Sequence, residues 1–404
     1  MSGGARRFIV VGIGADGWDG LSRRAQDELT GATTIIGSSR QLSLLSGQVS
    51  ARTVRWQSPM SAHLDEVLAD ESAGDVHIVA SGDPMFHGVG ASIIARLGRD
   101  AVLVLPAVSS VSLAAARMGW DLARTEVVSL VSSSASSVLA VASHAKRVLV
   151  LSRDQNSPAQ LAKVLADNGF GSSTLTVLEQ LGGPREDKYS ATADSWTLAP
   201  GDPLNVVALE ISGPLHARTP GLPDDVYHHD GQLTKQVIRA VTVCALAPTG
   251  GQILWDIGAG SGSVGIEWLR SDTSSRATAF ESDPTRAERI AVNAARHGVG
   301  DRLVIVGSAP ESFDHAPDPD AIFIGGGFTR GVLADAWQRL TVGGRLVVNA
   351  VTVENQSLVA ESFAAYGGTM TRLGVEYAAP LGSMTTWRPA LPIVQWVVER
   401  GSES

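Results

Sequence analysis

The stretch ILWDIGAGSGSVGIEWL, residues Ile253–Leu269, decides the fold of the second half of this 404-residue chain. ILWD is typical of a strand, IGAGSG of a tight turn and SVGIEWL of the helix that follows. Gly258, Gly260 and Gly262 remove side chains where the backbone must approach a ligand, and the start of the helix offers free N–H donors. The G-x-G-x-G spacing favours S-adenosylmethionine over a dinucleotide, although the motif alone leaves both open.

Two further strands after this stretch supply candidate cofactor contacts. ATAFE ends in Glu281, whose carboxylate is expected to accept hydrogen bonds from both hydroxyls of a ribose. The alternative is that Glu281 merely caps the next helix, which is predicted to begin at a capping Ser282 or Asp283. The third strand leads to GSAPE, where Ala309 is expected to line an adenine.

The fourth and fifth strands end in candidate substrate contacts. Gly325, Gly326 and Gly327 follow DAIFI, at the point where DNA and protein-glutamine methyltransferases carry a proline-rich signature. These glycines leave room for a broad, flat substrate, or they form a flexible turn, and both interpretations stay open. The fifth strand, GGRLVVNA, places the polar Asn349 near the expected transfer site.

The first half of the chain alternates short β-rich runs with helical patterns. The runs are FIVVGIG, TTIIG, VHIVA, AVLVLPA, EVVSLV, RVLVLS, LTVLEQL and NVVALEI. Continuous Val/Ile/Leu runs are typical of parallel strands covered by helices on both faces, so we expect an α/β fold with parallel sheets, two of them in this half. SPAQLAKVLADNGFG predicts a helix with Leu161, Val164 and Leu165 on one face, ended by Gly169.

Three turns in the first half, each after a predicted strand, offer backbone groups, hydroxyls and a carboxylate to a polar cofactor. Their residues are Gly12, Gly14, Gly82, Asp83, Ser109 and Ser110. Ligands of parallel α/β sheets bind at the carboxyl ends of the strands, so the turns are expected to share one crevice. A turn-stabilising role before Pro84 is the alternative for Asp83.

A segment rich in proline and glycine separates the two halves. SGPLHARTPGLPDDVYHHDGQ breaks every periodic pattern and is predicted to be an interdomain linker. The predicted organisation is a first domain over 1–212, a linker over 213–230 and a second domain over 231–404.

The single cysteine, Cys244, lies in the predicted helix LTKQVIRAVTVCALAP, whose apolar residues are Val237, Val241 and Leu246. We expect Cys244 to be a small buried hydrophobic residue. One cysteine excludes a disulfide framework or a thiolate metal cluster within one chain.

Composition narrows the class of protein further. Hydrophobic residues make up 44% and charged residues 18%, which is typical of a packed globular protein. A net charge of -9 argues against nonspecific binding of nucleic acid. No stretch reaches the roughly 18 apolar residues of a membrane helix, so a cytoplasmic protein is expected. The 9 histidines lack ligand spacing, and no metal is expected.

The second half, from Gly231 to Glu399, resembles the decarboxylating precorrin methyltransferase domain of cobalamin biosynthesis. The segments that carry the resemblance are LTKQVIRA, WDIGAGSGSVGIEWL, FESDPTRAERIAVNAARHG, IFIGGG and GGRLVVNAVTVEN. The resemblance implies a Rossmann-like class I S-adenosylmethionine methyltransferase fold. It also implies cofactor contacts from Thr234, Gly258, Ala259, Gly260, Ser261, Gly262, Glu281 and Ala309.

The first half, from Arg7 to Ile211, resembles the tetrapyrrole methylase family, and most closely its precorrin C5-methyltransferase branch. In that family a first glycine-rich loop, a segment like Ser81–Pro84 and a P-x-x-S-S turn form a donor cleft between two α/β lobes, the class III methyltransferase fold. Many members carry G-x-G-x-G-D in the first loop. This chain reads GIGADG, which places Asp16 before the final glycine.

The order of the two halves matches enzymes in which both domains are fused. The resemblance implies a tetrapyrrole substrate, one S-adenosyl-L-methionine per domain, methylation at C5 and C15, loss of the ring C acetate carboxyl group, and a homo-oligomer. Asp83 and Asn349 are the candidate catalytic residues. Arg330 and Gly325–Gly327 are the candidates for substrate binding in the second domain. Further candidates for the substrate carboxylates are Arg40, Arg117 and Arg153.

Three other functions remain as alternatives. A bifunctional S-adenosylmethionine methyltransferase acting on RNA or protein would use related folds, although the net charge of -9 disfavours it. A nicotinamide-dependent oxidoreductase would explain the glycine loops but not Ser81–Pro84. A non-catalytic tetrapyrrole-binding protein would need no donor site.

Overall fold

The computed structural model describes residues 6–70 and 74–401 of the chain. The chain divides into two compact units. The first unit consists of Met1–Ser132 and Ala145–Gly213, and the second consists of Ser133–His144 and Pro214–Ser404. Both units mix strands and helices, which confirms the predicted α/β class.

The first sheet of the first unit is parallel, as predicted. Its strands are β1 (Phe8–Ile13), β2 (Thr34–Gly37), β3 (Arg52–Arg55), β4 (Val76–Ser81) and β5 (Val102–Leu105), in the order β3-β2-β4-β1-β5. The neighbouring helices are α1 (Arg23–Thr30), α2 (Ser39–Ser43), α3 (Met60–Ala69) and α4 (Val89–Leu97). β1 is buried throughout, with Ile9 and Val11 in one hydrophobic cluster and Phe8 and Val10 in another. Burial on both faces explains its continuous apolar run.

The second sheet of the first unit is mostly antiparallel, which corrects the expectation of parallel sheets throughout. Its strands are β6 (Glu126–Ser129), β7 (Arg147–Leu151), β8 (Thr174–Glu179), β9 (Asp187–Thr192) and β10 (Asn205–Glu210), in the order β6-β7-β10-β8-β9. β6 and β7 run parallel, whereas the other pairs are antiparallel. Its helices are α5 (Ser110–Met118) and α7 (Ser157–Asp167). α7 confirms the predicted helix, with Leu161 and Leu165 fully buried.

Two strands of the first unit were not predicted from the sequence. β3, RTVR, and β9, DKYSAT, each lie at the edge of a sheet, and most of their side chains are exposed or half-exposed. An edge strand with solvent on one side needs no continuous apolar run, and charged side chains protect its free edge. The pattern that predicts the central strands is therefore missing from both.

The second unit is built on a seven-stranded sheet. Its strands are β11 (Ile253–Ile257), β12 (Arg276–Phe280), β13 (Leu303–Val306), β14 (Ala321–Ile324), β15 (Arg345–Ala350), β16 (Thr369–Leu373) and β19 (Ile393–Glu399), in the order β13-β12-β11-β14-β15-β19-β16. β19 is antiparallel to both of its neighbours. The strands β17 (Glu376–Leu381) and β18 (Met384–Pro389) form a separate hairpin. Counted from β11 without the hairpin, the strand order is 3-2-1-4-5-7-6.

Helices cover both faces of this sheet. They are α8 (Gln236–Leu246), α9 (Ser263–Ser271), α10 (Pro284–Arg296), α11 (Arg330–Arg339) and α12 (Val353–Tyr366). A further short helix of this unit, α6 (Val138–Ala142), lies against Gly298 after the end of α10. Leu254 and Val347 belong to one hydrophobic cluster, and Trp255 and Val348 belong to another. Neighbouring residues of one strand thus enter opposite layers of the core.

The helix predicted before the glycine motif exists as α8, and its apolar residues divide between core and surface. Leu246 is buried, whereas Val237 and Val241 are 43% and 37% exposed. Cys244 is also exposed, so the expectation that it is buried is wrong. The face that packs inward contains Arg239 and Thr242, both fully buried. A polar face is buried because these side chains find polar partners in the second unit.

The segment predicted to be a linker, 213–230, contributes to the packing of the second unit. Leu222 and Tyr227 are buried in one of its hydrophobic clusters. Asn293 on α10 accepts a hydrogen bond from the His228 amide at 2.8 Å and donates one to the His228 carbonyl at 2.9 Å. Prolines and glycines break the periodic pattern here, but they do not prevent these contacts.

Candidate active site

The glycine loop after β11 requires glycine at three positions. Gly258, Gly260 and Gly262 have φ angles of 68°, 61° and 73°, in the left-handed region that other residues rarely adopt. A Cβ atom on Gly258 would lie 2.6 Å from the carbonyl oxygen of Gly326, and one on Gly262 would lie 2.8 Å from Ile290. The loop therefore packs directly against the loop after β14 and against α10.

Glu281, at the end of β12, holds this glycine loop. Its buried carboxylate accepts a hydrogen bond from the Gly260 amide at 2.8 Å and another from the Asp283 amide at 3.0 Å. Asp283 itself caps α10, because its side chain accepts from the amides of Thr285 and Arg286. Helix capping is thus carried by Asp283, and Glu281 joins the end of β12 to the turn after β11.

The residues between these glycines are also fixed. The Ala259 amide donates to the Phe280 carbonyl at 3.2 Å. The Ser261 carbonyl accepts from Asn293 at 2.9 Å, while the buried Ser261 hydroxyl has no hydrogen-bond partner within 6–70 and 74–401. A left-handed glycine cradle with an unpaired buried hydroxyl fits a polar cofactor, because buried hydroxyls are usually hydrogen-bonded.

Asp256, in the strand before the cradle, was not among the site residues predicted from the sequence. One carboxylate oxygen accepts from the Gly265 amide at 3.0 Å, and the other has no partner among the described residues. Desolvation by complete burial raises the pKa of Asp256 to about 7. Its position in ILWD, in an otherwise apolar strand, is the signal that the sequence offered.

Thr234 and Ala309 lie on segments that flank the cradle. The carbonyl of Gln232 lies 3.7 Å from the place a Gly260 Cβ would take, so the segment before α8 passes beside the glycine loop. Thr234 on this segment is half-buried, and its carbonyl accepts a hydrogen bond from Arg239 at 2.5 Å. Ala309 follows β13 and packs against the cluster that contains Trp255. Their contacts with a cofactor stay predictions.

The glycines after β14 lie against the same cradle. The amides of Gly325 and Gly326 donate to the Ile257 carbonyl at 3.0 and 3.4 Å, and Gly327 has a φ angle of 68°. Arg330, the first residue of α11, forms an ion pair with Glu361 on α12, and its side chain is 76% exposed. A role for Arg330 toward a substrate would require that this exposed pair opens.

Asn349 belongs to a polar cluster under α8. Its amide nitrogen donates to the Thr242 hydroxyl at 2.8 Å, and its amide oxygen accepts from Gln395 at 3.0 Å. Thr242 and Gln395 are buried, and Asn349 is half-buried near the end of β15. This cluster holds the Asn349 side chain in one orientation at the edge of the sheet that carries the cradle.

The three turns of the first unit meet, as predicted for one crevice. The Gly82 amide donates to the Ile13 carbonyl at 3.0 Å, and the Ala107 amide donates to the Gly82 carbonyl at 3.3 Å. A Cβ atom on Gly12 would lie 2.1 Å from the Gly82 carbonyl oxygen. Gly12 therefore permits the close approach of the turns, whereas Gly14 and Gly82 line the cleft that they form.

Asp83, Ser109 and Ser110 also line this cleft. The Asp83 carboxylate accepts from the Met85 amide at 2.9 Å, so it stabilises its own turn. Ser109 caps α5 by accepting from the Ser112 amide, and Ser110 is the first residue of that helix. These bonds leave a cofactor role for the three residues as a prediction. Asp16 is not among the lining residues, and its carboxylate lies close to Gly14 and Gly20.

Metal-binding groups and membrane-spanning helices were both sought among the described residues. Over 6–70 and 74–401, no group of three or more His, Cys, Asp or Glu side chains is placed to hold a metal ion. No helix within those same residues is long and apolar enough to cross a membrane.

A seven-stranded sheet of order 3-2-1-4-5-7-6 with a glycine cradle after its first strand defines a class I S-adenosylmethionine-dependent methyltransferase. Family comparisons assign each unit to its own methyltransferase family. Residues 225–400 match the family described as "Precorrin methyltransferase domain", and residues 7–196 match "Tetrapyrrole (Corrin/Porphyrin) Methylases".

Full-length relatives are named Precorrin-6Y C(5,15)-methyltransferase [decarboxylating]. The one from Mycobacterium tuberculosis is 45% identical over 97% of this chain and 100% of its own length. The one from a Sinorhizobium species is 41% identical over 98% and 96%. A solved C-terminal domain of the Rhodobacter capsulatus enzyme is 40% identical and covers 46% of this chain and all of its own, with a TM-score of 0.44. The chain belongs to the family of decarboxylating precorrin-6Y C5,15-methyltransferases.

Proposed function

We propose that this chain methylates precorrin-6Y at C5 and C15 and removes the carboxyl group of the ring C acetate, which gives precorrin-8 in cobalamin biosynthesis. The observation that carries this proposal is the presence of two separate glycine-lined sites in one chain, one in each unit. Relatives with the corresponding name match both units over nearly their whole length.

Each unit is proposed to hold one S-adenosyl-L-methionine. In the second unit the residues around it would be Gly258–Gly262, Glu281, Thr234 and Ala309, and in the first unit they would be Gly14, Gly82, Asp83, Ser109 and Ser110, with Gly12 permitting the turns to meet. When bound, the cofactor supplies an electrophilic methyl group on sulfur. The chain's own task is to hold a nucleophilic carbon of the macrocycle in line with that group, and such positioning supplies most of the rate.

The decarboxylation is assigned to the second unit, together with methylation at C15. Electrons released by loss of carbon dioxide can pass into the conjugated macrocycle, so the protein only needs to orient the acetate and deliver a proton. Asn349, fixed by Thr242 and Gln395 at the end of β15, is proposed to orient the reacting ring there. Gly325–Gly327 leave space for a flat ring beside the cradle. Asp83 is proposed to face the reacting carbon in the first unit.

Mass spectrometry tests the reaction directly. Precorrin-6Y incubated with the full chain and S-adenosylmethionine should gain two methyl groups and lose one carbon dioxide, and an unchanged substrate mass would refute the proposal.

Variants of the full chain test the division of labour. Gly258→Val would fill the cradle of the second unit, because even a Cβ atom there lies 2.6 Å from Gly326, and it should abolish methylation at C15 and decarboxylation. Gly12→Val should abolish methylation at C5 for the same reason in the first unit. Loss of C15 methylation in Gly12→Val, with C15 methylation kept in Gly258→Val, would reverse the assignment.

We also propose that the chain assembles into a homo-oligomer through the hairpin β17–β18. Tyr377, Leu381 and Met384 share one face of this hairpin and are 46% to 74% exposed. A two-stranded ribbon is marginally stable alone, and clustered exposed apolar side chains are typical of interaction sites. A second copy of the same hairpin offers matching apolar strands.

Light scattering after size-exclusion chromatography measures the assembly. Met384→Glu should lower the mass, whereas Val342→Glu, at an exposed valine outside the hairpin, should leave the mass unchanged. Equal masses for both variants and the unaltered chain would contradict the hairpin interface.

A location in the cytoplasm remains a prediction from the sequence.

A further inference from the structure

The donor cleft of the first unit combines apolar walls with very little charge. Leu113, Leu181 and Val206 are among the apolar residues that line it. Of the lining residues that the structure describes, only Arg40 and Asp83 are charged. A macrocycle that carries carboxylates needs an apolar surface for the ring and a cation for at least one carboxylate. The cleft offers both.

Arg40 is held in this cleft by a hydrogen bond that uses only part of its donor capacity. Its guanidinium donates to the Ser81 hydroxyl at 2.6 Å, and Gln41 donates to the same hydroxyl at 3.0 Å. A guanidinium carries five N–H donors, so one contact leaves several for a ligand. Burial in the cleft lowers the pKa of Arg40, and the charge of Asp202 opposes that effect. The Arg40 guanidinium stays charged at neutral pH, because arginine is not deprotonated in proteins.

The other candidate arginines of this unit have different partners. The Nε and Nη2 atoms of Arg117 both bind the carboxylate of Glu186, so the charge of Arg117 is neutralised by a two-point contact. Arg153 is not among the residues that line the cleft, and its Nε donates to the Leu130 carbonyl at 3.0 Å. Arg40 is therefore the arginine that the cleft presents.

We propose that Arg40 anchors a peripheral carboxylate of the tetrapyrrole in the first unit and so sets its orientation for methyl transfer. The proposal rests on the proposed function, since the substrate must carry such carboxylates. The cofactor also has a carboxylate, on its methionyl part, and the same guanidinium chemistry would bind it. The test must separate these two sources.

Steady-state methylation of precorrin-6Y by the full chain, with a 13C-methyl label on S-adenosylmethionine, reports methylation at C5 separately by NMR. Arg40→Met should raise the KM for the tetrapyrrole about 10-fold or more, because a charge-assisted hydrogen bond is lost, with a smaller effect on kcat. Arg40→Lys keeps the charge and should recover part of this loss. Arg99→Met, at a side chain that is 90% exposed, is the matched control and should leave KM unchanged.

Calorimetric titration with S-adenosylhomocysteine separates the two carboxylates and also shows that the variant is folded. Binding to the Arg40→Met chain should match binding to the unaltered chain. An unchanged KM for the tetrapyrrole would overturn the proposal, and so would a fall in S-adenosylhomocysteine affinity that matches the rise in KM, because Arg40 would then serve the cofactor. No methylation by the unaltered chain would instead refute the proposed function and remove the basis of this inference.

Discussion

Replacement of Glu267 by glutamine should destabilise the second unit, although Glu267 touches neither the cradle nor the substrate loops. Glu267 lies on α9 and is 2% exposed. Its carboxylate accepts from the amides of Gly221 and Leu222 at 2.5 and 3.1 Å, from the Tyr227 hydroxyl at 3.0 Å and from Arg239 Nε at 2.6 Å. One side chain thus ties the segment before α8, and α8 itself, to the helix that begins at the cradle.

The size of the effect follows from burial. Arg239 is fully buried, and removing one partner of a buried ion pair costs about 3–5 kcal/mol. Arg239 keeps a second acid, Asp224, at 3.1 Å, which reduces the loss. The glutamine side chain also replaces one carboxylate oxygen with an NH2 group, which cannot accept a hydrogen bond. At least one of the donors that faced Glu267 is then left unpaired, which adds about 1–3 kcal/mol to the loss. With the loss partly offset by Asp224, we expect a decrease of about 3–5 kcal/mol in the free energy of unfolding of the second unit.

Urea unfolding followed by hydrogen exchange measures this loss unit by unit. Peptides from residues 219–246 and 263–271 should lose protection at lower urea in Glu267→Gln, while peptides from the first unit should not change. Glu288→Gln, at an exposed glutamate on α10, removes the same charge without breaking a buried pair and should stay within about 0.5 kcal/mol of the unaltered chain. If Glu267→Gln unfolds at the same urea concentration as Glu288→Gln, the buried pair does not stabilise this unit.

Three further predictions concern the two sites. Burial raises the pKa of Asp256 from 3.8 to about 7, so the folded state binds a proton that the unfolded state releases between these values. The free energy of unfolding of the second unit should therefore fall as pH rises from 4 to 7, by up to about 4 kcal/mol. Urea midpoints measured against pH should change less in Asp256→Asn than in the unaltered chain. Identical profiles for the two proteins would contradict the raised pKa. With one cofactor bound in each unit as proposed, calorimetry should resolve two S-adenosylhomocysteine binding steps. Glu281→Gln removes the charge that holds the Gly260 amide and should weaken one of these steps about 10-fold, whereas two unchanged steps would exclude Glu281 from the site. Gly12→Ala places a Cβ atom 2.1 Å from the Gly82 carbonyl, so calorimetry should show weaker S-adenosylhomocysteine binding in the first unit. Unchanged binding in both units would mean that the turns of the first unit can separate without cost.

Strands buried on both faces were predictable because burial leaves a direct mark on their composition. β1 reads as a continuous apolar run and β4 as an apolar run interrupted by His77, and each is covered on both faces. β3 and β9 carry no such mark, because one long side of each faces solvent. Strand direction was not predictable for the second sheet either, since an apolar run is the same whether its partner is parallel or antiparallel.

The buried face of α8 could not be predicted from the sequence for a related reason. Cys244 was expected to be buried and is exposed, as is Val237, whereas Arg239 and Thr242 are buried. A buried arginine is stable only when an acid and several carbonyl groups converge on it. Its acidic partners, Asp224 and Glu267, lie 15 residues before it and 28 after it in the sequence, and no local pattern reveals such distant pairs.

The sequence by itself determined the two-part α/β organisation, the glycine turns and the acid at the end of β12, because each depends on backbone conformation or burial of a short local segment. The resemblance of both halves to precorrin methyltransferases was also visible in the sequence. Only the tertiary structure decided which groups meet: Glu267 with Arg239, Asn349 with Gln395, and Arg40 with the cleft of the first unit. Hydrogen bonds and ion pairs form between side chains that are distant in sequence, and their geometry depends on the packing of whole elements. For that reason local composition predicted where the loops lie, while the contacts that give each polar side chain its role had to be read from the folded chain.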